Sequence, residues 1–187
     1  MALDEVHDTF GDDWLPCPTF CVLQNGKHRL IDNGLAGHQN EHSSYVERLV
    51  LCNATQPGIA ARFLYSAAIE ENACLKGANL ESGGEDLPNA YRSCPVMPAH
   101  YRYNTRAVQC PQSGLWFFQI MYSLLFCFKN AVMSFNRLSF FLQALARRIL
   151  GICCSFYYDD ASLVDWNRAM GSSQRIFGAV SAKIGFP

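Results

Sequence analysis

The sequence predicts an α+β protein, because short β-favouring runs alternate along the chain with segments of helical character. Two hairpin signals and one long amphipathic helix carry this prediction. Of the 187 residues, 50% are hydrophobic and 17% are charged, which excludes a disordered chain. The net charge of −1 provides no basic field over the whole surface, so a nucleic-acid partner would need local cationic groups.

The N-terminal part predicts an irregular lead-in followed by a hairpin. Residues 1–18 are acidic and then interrupted by prolines, so we expect no regular element there. The short apolar runs 19–23 and 28–31 flank Asn25-Gly26, and Asn-Gly between such runs is the strongest short hairpin signal.

The middle of the chain predicts a helix, a break and a second hairpin. The helix is expected over 57–75, because Pro57 suits a first helical turn and Gly77 follows its end. The glycine- and glutamate-rich stretch 81–85 predicts a polar break. Beyond it, the runs 101–109 and 115–122 surround a Pro-Gln-Ser-Gly turn and predict two paired strands.

The C-terminal part contains the clearest helix, expected over 131–150. Apolar side chains at steps of three and four predict its buried stripe, which consists of Val132, Phe135, Leu138, Leu142, Leu145 and Ile149. The opposite face carries Arg137, Arg147 and Arg148. A strand over 152–158 and a last helix over 173–183 complete the prediction.

The most apolar window, 115–128, is shorter than the roughly 20 residues of a membrane-spanning helix. It predicts a buried strand and a loop, and no stable membrane association is expected. The aromatic runs 116–118 and 140–141 are expected in the core. An odd cysteine count of nine, with no signal-peptide pattern, favours reduced thiols in an intracellular protein of the cytoplasm or nucleus.

Two adjacent acids, Asp159 and Asp160, directly follow the predicted strand in the sequence Tyr-Tyr-Asp-Asp. Two unit charges about 4 Å apart repel by ~4 kcal/mol at an effective dielectric constant of about 20. A hard divalent cation such as Mg²⁺ neutralises such a pair, since it prefers carboxylate oxygens. The pair alone is better explained by a solvated Asp-Asp turn, which is common, and a third acid is needed to favour a metal site.

Asp86 supplies that third acid, and the motifs around it occur in a recognisable order. The chain reads Asp-x4-Tyr from Asp86 to Tyr91, then a hairpin, a long helix and Tyr-Tyr-Asp-Asp. Residues 26–33 read Gly-Lys-His-Arg-Leu-Ile-Asp-Asn, with Asn40 beyond them, and 124–127 read Leu-Leu-Phe-Cys before the long helix. Together with the Gly-Phe turn at the end of the last helix, this order resembles the reverse transcriptases.

The resemblance implies a right-hand polymerase palm, a ferredoxin-like antiparallel sheet with packed helices, joined to partial fingers and without a thumb. It divides the chain into fingers over 1–80, palm over 81–97, a fingers hairpin over 98–126 and palm over 127–187. The implied activity is RNA-directed DNA polymerisation, as in retroelements, in which nucleotidyl transfer from a dNTP extends a primer on an RNA or DNA template.

The resemblance also implies the site residues. Asp86, Asp159 and Asp160 would be the catalytic acids and would hold two Mg²⁺ ions, with Mn²⁺ as a possible substitute. Lys27 and Arg29 would bind the substrate by clamping its triphosphate. The ring of Tyr91 would exclude a ribose 2′-hydroxyl. Tyr158 of the Tyr-x-Asp-Asp motif would be a fourth substrate-binding residue.

One position departs from the family pattern. Cys127 stands where the family usually carries glycine, so its Cβ predicts either a strained positive φ or a crowded site. Two other functions stay open: a catalytically inactive retroelement remnant that binds nucleic acid or serves as a structural protein, and a small membrane-associated protein built around 115–128.

Overall fold

In the computed structural model, which describes residues 1–44 and 47–186, the chain divides into two units. The first unit comprises Met1–Arg48 and Tyr91–Phe135, and the second comprises Leu49–Ala90 and Asn136–Pro187. Helices accompany a β-sheet in each unit, so the α+β class is confirmed. The boundaries of the units differ from those of the predicted fingers and palm segments, which stay predictions.

The first unit is built on a four-stranded mixed sheet. Its strands are β1 (Pro16–Gln24), β2 (Lys27–Asp32), β4 (Thr105–Gln109) and β5 (Trp116–Ile120), in the order β2-β1-β4-β5. The pair β1–β4 is parallel, and the other two pairs are antiparallel. Both predicted hairpins are therefore present, as β1–β2 and β4–β5.

The turn between β1 and β2 confirms the Asn-Gly prediction. Gln24 pairs with Lys27, which leaves Asn25 and Gly26 as a two-residue turn. Both turn residues have positive φ, at 51° and 73°. This combination requires residues that tolerate the left-handed region, and it matches the right-handed twist of the flanking strands.

The prediction of an irregular lead-in over 1–18 is wrong, because helix α1 spans Leu3–Phe10 and β1 begins at Pro16. Val6 is fully buried and packs with Ala107 and Phe118 of the sheet. Burial of one valine side chain stabilises a fold by about 1.5–3 kcal/mol. Phe10 and Trp14 pack against the same cluster, so three apolar side chains attach this segment to the sheet, which its acidic composition does not indicate.

The second unit is built on a three-stranded antiparallel sheet. Its strands are β3 (Leu80–Asp86), β6 (Cys153–Tyr157) and β7 (Asp160–Trp166), in the order β3-β7-β6. Helix α2 (Gln56–Glu70) contacts β6 and β7, and helix α4 (Ser172–Lys183) contacts β3 and β7. The predicted polar break over 81–85 is wrong, because β3 pairs with β7 along its whole length and this pairing overrides the weak strand propensity.

Helix α3 spans Lys129–Arg148, two residues earlier at each end than the predicted 131–150, and its buried side is rotated from the predicted stripe. The buried residues are Ala131, Phe135, Asn136, Ser139, Leu142 and Ala146. Of the predicted stripe, Phe135 and Leu142 are buried, whereas Ile149 is 73% exposed. The buried side is lined largely by small and polar residues, which a hydrophobicity pattern does not detect.

The prediction that the aromatic runs lie in the core is wrong for four of their five residues. Phe118 is buried beneath α1, whereas Trp116, Phe117, Phe140 and Phe141 are exposed. Strand β5 is an edge strand, and alternate side chains point to opposite faces, so Phe117 lies on the face away from Phe118. The window 115–128 forms β5 and irregular structure, and in residues 1–44 and 47–186 no helix is long and apolar enough to span a membrane.

Candidate functional site

The hairpin between β6 and β7 presents the Tyr-Tyr-Asp-Asp sequence at its turn. Tyr157 pairs with Asp160, so Tyr158 and Asp159 form a two-residue turn. Tyr158 has a φ of 54°, in the left-handed region that bulky residues rarely adopt. Strain of this kind costs on the order of 1–3 kcal/mol and is concentrated at functional sites. The turn geometry therefore marks this corner of the sheet as a candidate site.

The first acid lies beside this turn. Asp86, the last residue of β3, is the cross-strand partner of Asp160. Directly opposed residues point to the same face, with Cβ atoms about 4.5–5.5 Å apart. The backbone N–H of Leu87 also donates to the carbonyl oxygen of Asp159, at 3.1 Å. Strand pairing thus brings Asp86, Asp159 and Asp160 to one corner.

The three carboxylates repel one another. Burial raises the pKa of Asp159 above its usual value, and the charges of Asp160 and Asp86 raise it further. Asp86 and Asp160 are exposed. In the described part of the chain, none of the three forms an ion pair with a basic side chain. Within residues 1–44 and 47–186, the corner therefore concentrates negative charge that no ion pair offsets.

The donor chemistry of this corner fits a hard divalent cation. Carboxylate oxygens are the ligands that Mg²⁺ and Mn²⁺ prefer. Burial is the main cause of the raised pKa of Asp159, and a bound cation would offset the further contribution from the charges of Asp160 and Asp86. Across residues 1–44 and 47–186, however, no three His, Cys, Asp or Glu side chains already converge as a ready metal site. The acids are adjacent through their strands, and binding would require their side chains to turn towards a shared ion.

The predicted triphosphate clamp lies on β2 of the first unit. Lys27 and Arg29 are exposed and occupy alternate positions of the strand, so they project from the same face of the hairpin. Neither forms an ion pair among the residues that the structure describes. Two cations side by side and without carboxylate partners are suited to binding a polyphosphate.

The predicted gate residue, Tyr91, lies in a 3-10 turn that spans Ala90–Ser93. Its half-buried ring packs edge-on against Phe126, with centroids 5.2 Å apart, and against Phe135 at 5.0 Å. Aromatic contacts of this kind stabilise by about 0.5–1.5 kcal/mol beyond area burial. The two neighbours therefore restrict the directions in which the Tyr91 ring can move.

The expectation for Cys127 is confirmed, since its φ is 73°. Asn40, the asparagine of the N-terminal motif, holds this backbone in place. Its Nδ2 donates to the carbonyl oxygen of Cys127 at 3.1 Å, and its Oδ1 accepts from the N–H of Lys129 at 2.8 Å. One side chain thus links the strained residue to the beginning of α3.

We predict that Cys127→Gly stabilises the protein. The left-handed conformation destabilises the folded state by about 1–2 kcal/mol when the residue has a Cβ. Glycine removes this strain, but it lowers stability by about 0.5–1 kcal/mol because it increases the entropy of the unfolded chain. The expected net gain in the free energy of unfolding is therefore up to about 1.5 kcal/mol, measured by urea denaturation. Cys127→Ala is the matched control, since it keeps the Cβ and should show no gain. Equal stabilities of the two variants would contradict the strain at this position.

A buried ionic cluster in the first unit was not predicted. Asp32 is fully buried, and its carboxylate accepts from Arg106 Nε at 2.6 Å, Arg92 Nη2 at 2.7 Å and Thr19 Oγ1 at 2.9 Å. The sequence shows Asp32 only as an acid at the end of a short apolar run, within the motif at 26–33, and neither feature indicates a buried ionic partner. Arg92 directly follows Tyr91, so this cluster anchors the chain beside the predicted gate residue.

No protein-family model matches this chain, and no curated protein sequence matches it.

Proposed function

We propose that the chain is the fingers-and-palm part of an RNA-directed DNA polymerase and that it transfers nucleotides from dNTPs to a primer 3′-hydroxyl on a nucleic-acid template. The observation that carries the proposal is the cross-strand pairing of Asp86 with Asp160 beside the Tyr158–Asp159 turn. This pairing brings residues more than seventy positions apart to one corner, and that adjacency supports the proposal.

Asp86, Asp159 and Asp160 would hold the divalent cations. When bound, two such ions activate the attacking hydroxyl and stabilise the leaving pyrophosphate. Lys27 and Arg29 would bind the triphosphate by charge-assisted hydrogen bonds. In this proposal the antiparallel sheet β3-β7-β6 and helix α4 would belong to the palm, and the β1–β2 and β4–β5 hairpins would belong to the fingers.

Primer extension tests the proposal. The purified chain is incubated with Mg²⁺, dTTP and an oligo(dT) primer on a poly(rA) template, and products are resolved by length. Elongated products that require both the template and the metal ion support the proposal, and their absence at high enzyme concentration contradicts it.

A non-catalytic nucleic-acid-binding protein is the alternative that a specific observation favours. Trp116 and Phe117 are exposed on β5, and exposed aromatic rings can stack on the bases of a single strand. Binding of labelled oligonucleotides without extension would favour this alternative, whereas extension would favour the polymerase.

For Tyr91 we predict a change in sugar selectivity. Tyr91→Ala removes the ring that would contact a ribose 2′-hydroxyl, so discrimination against ribonucleotides should fall by about tenfold or more, the equivalent of about 1.4 kcal/mol. The ratio of kcat/KM for dTTP and UTP measures it. Tyr122→Ala removes an exposed tyrosine from the same unit and should leave the ratio unchanged. A Tyr91→Ala variant as selective as the wild type would remove the gate role.

A further inference from the structure

The free edge of β6 is covered by side chains of α3. Strand β6 is the outer strand in the order β3-β7-β6, so alternate backbone groups point away from the sheet. Side chains of α3 form three hydrogen bonds with these groups. Ser139 Oγ donates to Tyr158 O at 2.7 Å, and Arg147 Nε donates to Cys154 O at 2.7 Å. Gln143 Oε1 accepts from Phe156 N at 3.2 Å. We call this set the α3 ladder.

The spacing of the α3 ladder follows from the geometry of the two elements. Its helix residues are four positions apart, and four residues of an α-helix rise about 6 Å. Its strand residues are two positions apart, and two residues of a strand advance about 6.6 Å. In a helix that lies antiparallel to an edge strand, every fourth side chain can therefore form a hydrogen bond with the backbone of every second strand residue.

The ladder ends at the strained turn. Ser139 is fully buried, and its hydroxyl donates to the carbonyl oxygen of Tyr158, the residue with positive φ. Tyr158 immediately precedes Asp159. A strained conformation persists only where the surrounding structure fixes it, and this buried hydrogen bond is one such restraint. Strand pairing to β7 and the bond from Leu87 N–H to Asp159 O restrain the turn from the other side.

We propose that Ser139, Gln143 and Arg147 are positioning residues that hold the Tyr158–Asp159 turn so that the Asp159 carboxylate can share a divalent cation with Asp86 and Asp160. This inference rests on the proposed function. The three residues are not among the site residues that the resemblance implied. Arg147 was expected on a polar outer face, and its Nε instead donates to the β6 backbone.

Mn²⁺ binding by the full chain tests this positioning role without any turnover. The EPR signal of free Mn²⁺ gives the affinity of the wild type, Ser139→Ala and Gln143→Leu. Loss of one buried hydrogen bond corresponds to about a five- to tenfold weaker affinity, which we expect for Ser139→Ala. Gln143→Glu keeps an acceptor for the Phe156 N–H and should bind Mn²⁺ like the wild type.

Amide hydrogen exchange reports on the ladder itself. The Phe156 amide should be protected in the wild type and in Gln143→Glu, and it should exchange faster in Gln143→Leu. Arg148→Ala, an exposed residue next to Arg147 on α3, is the control that should change neither readout.

The outcomes separate the two proposals. Unchanged Mn²⁺ affinity in Ser139→Ala and Gln143→Leu would overturn the positioning role and leave the polymerase proposal intact. An unprotected Phe156 amide in the wild type would overturn the ladder. A wild type that binds no Mn²⁺ would overturn the proposed function and, with it, the role assigned to α3.

Discussion

Asp159→Asn should abolish primer extension, lowering the rate by about 10²–10³-fold or more. The substitution keeps the size of the side chain and removes the charge at the point where the three acids meet. Asparagine cannot supply a carboxylate to a divalent cation, so Mg²⁺ and Mn²⁺ affinity should fall together with activity. Single-turnover extension and Mn²⁺ titration measure the two effects.

The same variant should be more stable than the wild type in the absence of metal. The pKa of Asp159 in the folded chain is raised above 3.8, mainly by burial and further by the charges of Asp160 and Asp86. The folded state therefore holds this proton more tightly than the unfolded state, and stability falls as the pH rises from 3.8 through the raised pKa. The amide of asparagine carries no charge, so its Tm at pH 7 should exceed that of the wild type.

Asp8→Asn is the matched control, because Asp8 is exposed on α1 and the charge change is identical. It should alter neither primer extension nor Mn²⁺ affinity. If Asp159→Asn extended primers at the wild-type rate, the catalytic role of this corner would be excluded. If Asp159→Asn were less stable than the wild type without metal, the charge of Asp159 would not destabilise the folded chain, which would contradict the predicted gain in Tm.

Local signals in the sequence predicted those parts of the fold that depend on a few neighbouring residues. Asn25-Gly26 is sufficient to specify a two-residue turn, because both positions require positive φ. Helix α4 begins within one residue of its predicted position, and β6 within one. The adjacency of Asp86 and Asp160 could be predicted only from the order of motifs, since no local pattern specifies which strands pair.

The errors occurred where distant contacts decide the structure. Strand β3 has little strand propensity and exists because β7 pairs with all of it. The buried side of α3 includes Ser139, whose partner is a backbone carbonyl nineteen residues away, and a hydrophobicity pattern treats such a serine as exposed. Phe117 and Phe141 were assigned to the core by their chemistry alone, although burial depends on whether another element covers them.

Asp32→Asn in the first unit should lower the free energy of unfolding by about 3–5 kcal/mol. This is the largest change in stability that we expect from a single substitution. The Asp32 carboxylate is fully buried and faces two guanidinium groups, those of Arg92 and Arg106. Removing the anion leaves Arg106, which is 8% exposed, with an uncompensated buried charge. Urea denaturation measures the loss, which does not depend on any assignment of function.

Asp13→Asn provides the comparison at a surface pair. Asp13 also accepts a 2.7 Å bond from an arginine, Arg102, but both side chains are open to solvent, where screening weakens the interaction. The loss there should be much smaller than for Asp32→Asn. The double variant Asp32→Asn/Arg106→Met removes the most buried cation as well, so its loss should be less than the sum of the two single losses. Equal losses at Asp32 and Asp13, or strict additivity in the double variant, would contradict a stabilising charge interaction between Asp32 and Arg106.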